Sequence, residues 1–438
     1  MRRGSGVRHL VAQILPLRGL RYTSKAGEFG SLLAPPYDVI SPLQQQALQE
    51  ANQYNAVHVE LAAGVEDGYA GVADLFREWV KEGVVARDEQ PMLYVYEQDF
   101  SYKGQTHTRR ALLAGVEVQP WEEGAVKPHE YTMSGPKADR LALLKATRTQ
   151  FSPIFMIARD RAGQLQQFMA ETVAANTPTA SGTSLDGDQH RLWAVEAGPF
   201  EMRRLAPLFA ESFYLADGHH RYETAQAYRE WLTEEEGTLP PDHPARYVMT
   251  DIVPASDGGL IIRPIYRVVA NTAPDDWRER LARYFEVADF SHQPQDPEFA
   301  AAVETTLEGH GSVVVAMGLE PGKAHLLRKR EDVDLGDIAP AGYSAAWAAV
   351  APNLCRLAIL NPLWDMTDED LRAGAVEFVH DVPEALERAS QGACVFLIQP
   401  VGIREVVDLS DKGERMPQKS TFFHPKMGTG MVFNPLYP

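Results

Sequence analysis

Residues 92–117 hold the pattern that most limits the fold. MLYVYEQDF and THTRRALLAGVEV are two long apolar-rich runs. Between them stands Tyr102-Lys103-Gly104-Gln105, a short turn with one glycine. Two such runs around a tight turn predict an antiparallel hairpin. A chain that must accommodate it cannot be a purely parallel, doubly wound sheet. A second pair, RYVMTDIV and LIIRPIYRVV around Ser256-Asp257-Gly258-Gly259, reads the same way.

Helical and strand patterns surround these hairpins. Ser41-Pro42 reads as an N-cap followed by Pro at the first helical position, opening a helix through LQQQALQEA. Tyr69, Val72, Phe76 and Trp79 recur at helical spacing, and Gly83 ends that run. AVHVEL alternates like a short strand. LALLKATRT continues as a helix, and SPIFMIA, HRLWAVE and SFYLA read as strands. TPTASGTSLDGDQ, rich in Ser, Thr, Gly and Asp, reads as the clearest loop. SVVVAMG, VEFVH and CVFLIQP supply further short strands. The expected class is therefore α+β, a mixed α/β protein.

With 438 residues, the chain exceeds what one hydrophobic core usually organises. A first region, 1–270, would be followed by an α/β domain over 271–415 and a basic, glycine-rich tail over 416–438. The N-terminal MRRGSGVRHLVAQILPLRGLRY lacks a clear small-residue cleavage site and reads as a first strand rather than a signal.

The formal net charge is −18. Such a surface gains nothing from counterion release, so nucleic acid is not an expected partner. No apolar run approaches the roughly 20 residues that span a bilayer, so no membrane partner is expected. Two cysteines are too few for a disulfide framework, and they fit a cytoplasmic protein. A homodimer is one assembly left open.

Against this acidic background, one short stretch concentrates cations. In SFYLADGHHRYETA, a strand gives way to Asp217-Gly218-His219-His220-Arg221, and then Tyr222, Ala225, Tyr228 and Leu232 recur at helical spacing. Gly218 permits a sharp turn or close ligand approach. The helix start offers free N–H groups and the positive end of its dipole, which suit a phosphate. Arg221 adds a bidentate fork. Asp217 would repel that phosphate unless a cation such as Mg²⁺ stands between them. The bland alternative is a capped helix start, with Asp217 capping and both histidines in water. A metal site is a third reading: His219 and Glu223 stand at i and i+4, with His129 elsewhere, but no HExxH spacing supplies the rest.

Other groups are candidates to join it. His129-Glu130, in VKPHEYT, is a loop-borne pair suited to acid–base work. Lys137, Asp139 and Arg140 follow and suit an ordinary charged helix start. Lys419, Ser420, Thr421, His424 and Lys426 cluster near Gly428 and Gly430, a composition that suits phosphate although no Walker A spacing is present. Asp38, in APPYDVIS, stands where a proline-stiffened entry would aim it or let it cap a turn.

LAPPYDVIS, VKPHEYT with GPKADRLALL, ADGHHRYETA and MPQKSTFFHPKMGTGMVF occur in that order. Together they resemble the domain-of-unknown-function family "ten-fifteen", which is similar to free serine kinases of the ParB/sulfiredoxin-like fold. ADGHHRYETA is also similar to the phosphate-binding turn of sulfiredoxin. The resemblance implies a ParB/sulfiredoxin-like nucleotide-binding core with large insertions. It implies a kinase that takes ATP or ADP with Mg²⁺ and phosphorylates a small hydroxyl compound such as free L-serine. Gly218, His219, His220, Arg221, Lys419, Ser420, Thr421 and Lys426 would hold phosphates, while Asp217, Glu130, His129 and Asp38 would serve catalysis, Asp217 also near the metal. A non-catalytic nucleotide-sensing module and a metal-dependent hydrolase are the alternatives. One departure stands out: where the family commonly has Pro-Thr-His-Arg, this chain has Pro264-Ile265-Tyr266-Arg267.

Overall fold

A computed structural model describes residues 13–62, 68–131, 135–309 and 311–437. Residues 1–12 of the expected first strand lie outside that range. The described residues sort into two compact units. The first comprises residues 13–128, 135–261 and 425–437; the second comprises 129–131 and 262–424.

The first unit is built on a mixed sheet of nine strands among the described residues. They are β1 (Ile14–Leu15), β2 (Met92–Tyr102), β3 (Gln105–Glu117), β4 (Val126–Pro128), β5 (Ile154–Ala158), β6 (Ala180–Thr183), β7 (Gln189–Glu196), β8 (Phe213–Asp217) and β9 (Tyr247–Pro254). Their order is β4-β8-β5-β9-β3-β2-β7-β6, with β1 paired to β3. The β2–β3 hairpin forms as expected. Tyr102 pairs with Gln105, so Lys103 and Gly104 alone make the turn, both at positive φ, as a twist-matched two-residue turn requires. β8 runs parallel to β4, and β9 parallel to β5, while the other ladders are antiparallel.

Helices α1 (Pro42–Ala51), α2 (Tyr69–Glu82), α3 (Gly135–Thr147), α4 (Gln164–Ala175) and α5 (His219–Glu236) complete this unit's main elements. Ser41 caps α1 by accepting from Gln44 N, and Gly83 ends α2 in the left-handed conformation. One sheet face packs a core of Val95, Leu112, Ile154, Met156, Leu215 and Ile252 with Leu165, Phe168 and Tyr222. The intervening residues, including Tyr96, Arg109, Phe155 and Asp251, turn to the opposite face. Segment 425–433 returns there: Arg109 Nη2 donates to Pro425 O at 2.8 Å, and Gly428 N to the Tyr96 hydroxyl at 3.4 Å.

Three local expectations fail here. AVHVEL does not extend; Val57–Glu60 is a short helix, set by Asn55, whose side chain accepts from Val57 N and donates to Leu33 O. Within the expected loop at 177–189, Ala180–Thr183 is the edge strand β6. Its polar side chains face out while its backbone pairs with β7, and Gly182 packs so close to Gly30 that a Cβ would meet Gly30 N at 2.3 Å. RYVMTDIV and LIIRPIYRVV do not pair with each other. β9 lies between β3 and β5, and Tyr266–Val269 belongs to the second unit.

The second unit holds a six-stranded sheet. Its strands are β10 (Tyr266–Val269), β11 (Phe285–Asp289), β12 (Val313–Met317), β13 (Ala324–Lys329), β14 (Glu377–Val379) and β15 (Cys394–Ile398), in the order β11-β13-β12-β15-β10-β14. Helices α6 (Phe299–Glu308), α7 (Val382–Ser390) and α8 (Ile403–Asp411) are among its helices. Its core joins Val303, Val315, Met317, Ala385, Val395 and Leu397. Ile265 and Tyr266, at the departure from the common family pattern, are buried core residues. Both cysteines are buried and free. The protein is thus a mixed α/β structure.

Candidate anion-binding site

β8 ends in a register shift between Leu215 and Asp217: Leu215 pairs with Met156, and Asp217 pairs with Phe155. Simple alternation would leave Asp217 on the same side as Leu215, inside the apolar core. The extra residue, Ala216, turns it to the face that carries Phe155. Gly218 follows at φ +88°, and α5 begins at His219. A Cβ on Gly218 would meet Ile154 Cγ2 at 2.8 Å, so both the backbone conformation and the close approach require glycine. The N-cap is Gly218 itself, with no side-chain cap hydrogen bond. Asp217 therefore does not cap the helix, contrary to the bland reading of the motif.

Asp217 is instead held by cations. Lys426 Nζ lies 3.3 Å from Oδ1, and Arg221 Nη2 lies 3.6 Å from Oδ2. Burial would raise this acid, but Lys426 and Arg221, helped by His219, hold it down at about 2. Arg221 also donates to Pro153 O at 2.5 Å. Two positive charges thus face one ionised carboxylate beside the first turn of α5. His219 and His220 are half-buried in that turn. The helix is anchored from behind, where the Tyr222 hydroxyl bonds both the N–H and the carbonyl of Gln119.

Behind Arg221 lies a small, partly open cavity of about 50 Å³. Glu60, Arg140, Gln150, Ser152 and Thr224 line it together with Leu143, Phe151 and Ile154. Arg140 is no ordinary charged residue at a helix start. It is 6% exposed, donates to Glu60 O and Asp139, and stacks at 4.2 Å over the Tyr37 ring. Asp38, next to Tyr37, stands exposed in the turn Tyr37–Val39. Glu223 is ion-paired with Lys137. Among the described residues, no three His, Cys, Asp or Glu side chains come together as a metal site. Asp217 is a single carboxylate already shared by two cations, so this donor set does not fit a resident Mg²⁺.

Two arginines and an acid that the sequence reading did not assign to the site border it. Arg109 and Asp251 lie on the sheet face that carries Phe155, and Arg140 lines the cavity. The signal for Asp251 was its setting: an acid inside Tyr247–Pro254, a strand buried at every position.

In the second unit, His129 and Glu130 meet the 419–421 turn. Glu130 Oε1 accepts from Ser420 N at 3.0 Å, Thr421 N at 2.9 Å and Thr421 Oγ1 at 3.0 Å. His129 Nε2 lies 2.7 Å from Thr421 Oγ1 and 3.3 Å from Glu130. Lys419 adopts φ +58°, and its carbonyl accepts from Arg267 Nη2 at 3.0 Å. Arg267 is 5% exposed; burial lowers its guanidinium to about 10. Of the residues expected to act together, Asp217 through Arg221 converge with Lys426 in the first unit. His129, Glu130 and Lys419 through Thr421 converge in the second.

A family model described as "Protein of unknown function (DUF1015)" matches residues 14–347. No curated protein matches the chain. Among solved structures, a free serine kinase in complex with AMP is similar with a TM-score of 0.34 at 14% identity, over 71% of this chain and 86% of its own. SbnI from Staphylococcus aureus, with a C-terminal truncation, gives 0.36 at 12% identity, over 74% and 87%. A conserved hypothetical protein from Pyrococcus furiosus gives 0.32 at 14% identity, over 72% and 93%.

Proposed function

We propose, from the premise that this chain belongs to the DUF1015 family of proteins of unknown function, that its first unit binds the phosphates of ATP or ADP. The reading rests on one observation: at the N-terminus of α5, Arg221 and Lys426 converge on Asp217. A phosphate placed there would meet the N–H groups of the first helical turn. It would share the two cations with Asp217 and take a further bond from His219 or His220. Gly218 keeps the backbone accessible to it.

The further step is transfer to a small hydroxyl compound, of which free L-serine is one candidate. Asp217 would accept a hydrogen bond from the acceptor hydroxyl and orient it. Glu130 is the proposed proton acceptor, with His129 as its orienting partner and Asp38 as a further acid. Lys419, Ser420 and Thr421 are proposed phosphate contacts. Mg²⁺ would enter only as the counterion that a nucleotide carries, supplying charge neutralisation. One observation favours the second reading, a nucleotide-binding module without transfer: Glu130 Oε1 is already engaged by three donors of the 420–421 turn. A metal-dependent hydrolase lacks a ligand cluster among the described residues.

Two measurements test this. Titration calorimetry with ADP and ATP should show binding, and Arg221→Ala should weaken it by about 1.5–3 kcal/mol while circular dichroism stays unchanged. Equal affinity in that variant would remove Arg221 from the site. Phosphorus NMR of the protein with ATP or ADP, Mg²⁺, serine and a panel of small alcohols should show a new phosphomonoester. Binding without any product selects the non-catalytic module.

A further inference from the structure

Asp251 lies at the middle of β9 and is completely buried. Among the described residues, neither of its carboxyl oxygens has a hydrogen-bond partner. An acid in that state is costly to keep, because a buried carboxyl is normally paired or bonded. Its neighbours explain what it faces. Asp251 pairs across the sheet with Phe155 of β5, and Asp217 of β8 pairs with the same Phe155 from the other side. Arg109 of β3 lies over that ring at 5.5 Å. Two acids thus flank one phenylalanine.

The charged groups that act on Asp251 come from two elements, Arg109 from β3 and Arg221 from α5, and Asp251 in turn raises the Tyr96 hydroxyl of β2. Arg109 is committed to Gln98 Oε1 and Pro425 O, so its field is fixed. Arg221, bonded to Pro153 O and paired with Asp217, is also the cation offered to a phosphate, so an arriving anion alters the field it casts on Asp251. Burial pushes Asp251 up to about 7 against the pull of both arginines.

We propose that Asp251 is a functional residue of this site: a sealed carboxyl that takes up one proton when a phosphate engages Arg221. The proposal rests on the reading of Arg221 as a phosphate ligand. The physical reason is that an arriving phosphate offsets the guanidinium's field at Asp251, and two anions then share one cation inside a water-poor sheet face. Protonation removes that repulsion. A proton passes from solvent to the Asp251 carboxylate, and no other bond forms or breaks. Asp217, held by Lys426 as well as Arg221, stays ionised and keeps its place beside the ligand.

The test is calorimetry of ADP binding in two buffers of different ionisation enthalpy, which counts protons taken up. At pH 7, wild type should take up about half a proton more than Asp251→Asn. The comparison cancels protons contributed by ADP itself and by His219 and His220. Between pH 6 and 8, ADP affinity should fall more steeply in wild type than in the variant, by several-fold. A variant-free measurement guards against misfolding of Asp251→Asn: the ADP-induced infrared difference spectrum of wild type should gain a protonated-carboxyl C=O band. Equal proton counts in both proteins, or ADP binding without that band, overturns the coupling while leaving the phosphate site intact. No ADP binding at all overturns the phosphate site, and the coupling with it.

Discussion

Asp251 and Asp217 are displaced in opposite directions: burial raises Asp251 against the pull of Arg109 and Arg221, whereas Lys426 and Arg221 hold Asp217 down despite its burial, and each displacement has a stability consequence. Asp251 keeps its proton up to about 7, against an ordinary value of 3.8. Across that window the folded chain holds a proton that the unfolded chain has lost, so stability falls as pH rises from about 4 to 7. At about 1.4 kcal/mol per pH unit, the ceiling is about 4 kcal/mol. Asp251→Asn removes this dependence. Its stability relative to wild type, by urea unfolding, should improve by about 2–4 kcal/mol between pH 4 and pH 8. Retaining a costly acid where an amide would be more stable is the pattern expected of a residue kept for function. Asp217 behaves oppositely. With its proton released down to about 2, it adds stability above pH 4 that is lost as pH falls towards 2. Lys426→Met should shrink that acid-side loss, about 2 kcal/mol in wild type, by half or more. Urea unfolding between pH 5 and 2 reads it directly.

At the scale of elements, the turn from β8 into α5 is the least tolerant part of the first unit. Gly218→Ala would force a Cβ against Ile154 in a backbone conformation that only glycine adopts freely. We expect a loss of about 2–3 kcal/mol in unfolding free energy, and loss of ADP binding in whatever folds. This turn was legible in the sequence because its signals are local: an apolar run, a glycine, then Tyr222, Ala225, Tyr228 and Leu232 at helical spacing. The β2–β3 hairpin was legible for the same reason. Val57–Glu60 was not, since six alternating residues do not distinguish a strand from a turn of helix until Asn55 fixes its start. Strand β6 was hidden because its side chains look like loop and only its backbone ladder makes it a strand. Asp251 was hidden for a different reason. Its meaning comes from strands β3, β5 and β8, far apart in sequence, and from a one-residue bulge that no local pattern announces.

At the scale of the whole molecule, the two units provide a test of where the ligand acts. Each has its own apolar core, so each should give its own heat-absorption peak. Saturating ADP at about 100 times its dissociation constant should stabilise the unit that binds it by about 2.7 kcal/mol. Scanning calorimetry should therefore move the first unit's transition upward. Movement of both would assign ligand contacts to His129, Glu130 and the 419–421 turn as well. No helix among the described residues is long and apolar enough to cross a membrane.

The first unit draws its final pieces from residues 425–437, after the second unit's 262–424 have intervened. During synthesis, about 170 residues therefore leave the ribosome between β9 and Lys426. Until they do, Arg109 lacks the Pro425 carbonyl, and Asp217 has Arg221 and His219 but not Lys426 beside it. A nascent or prematurely stopped chain thus carries the glycine turn and both histidines, but not the lysine that completes the cradle. Phosphate binding would then report that translation has passed the second unit.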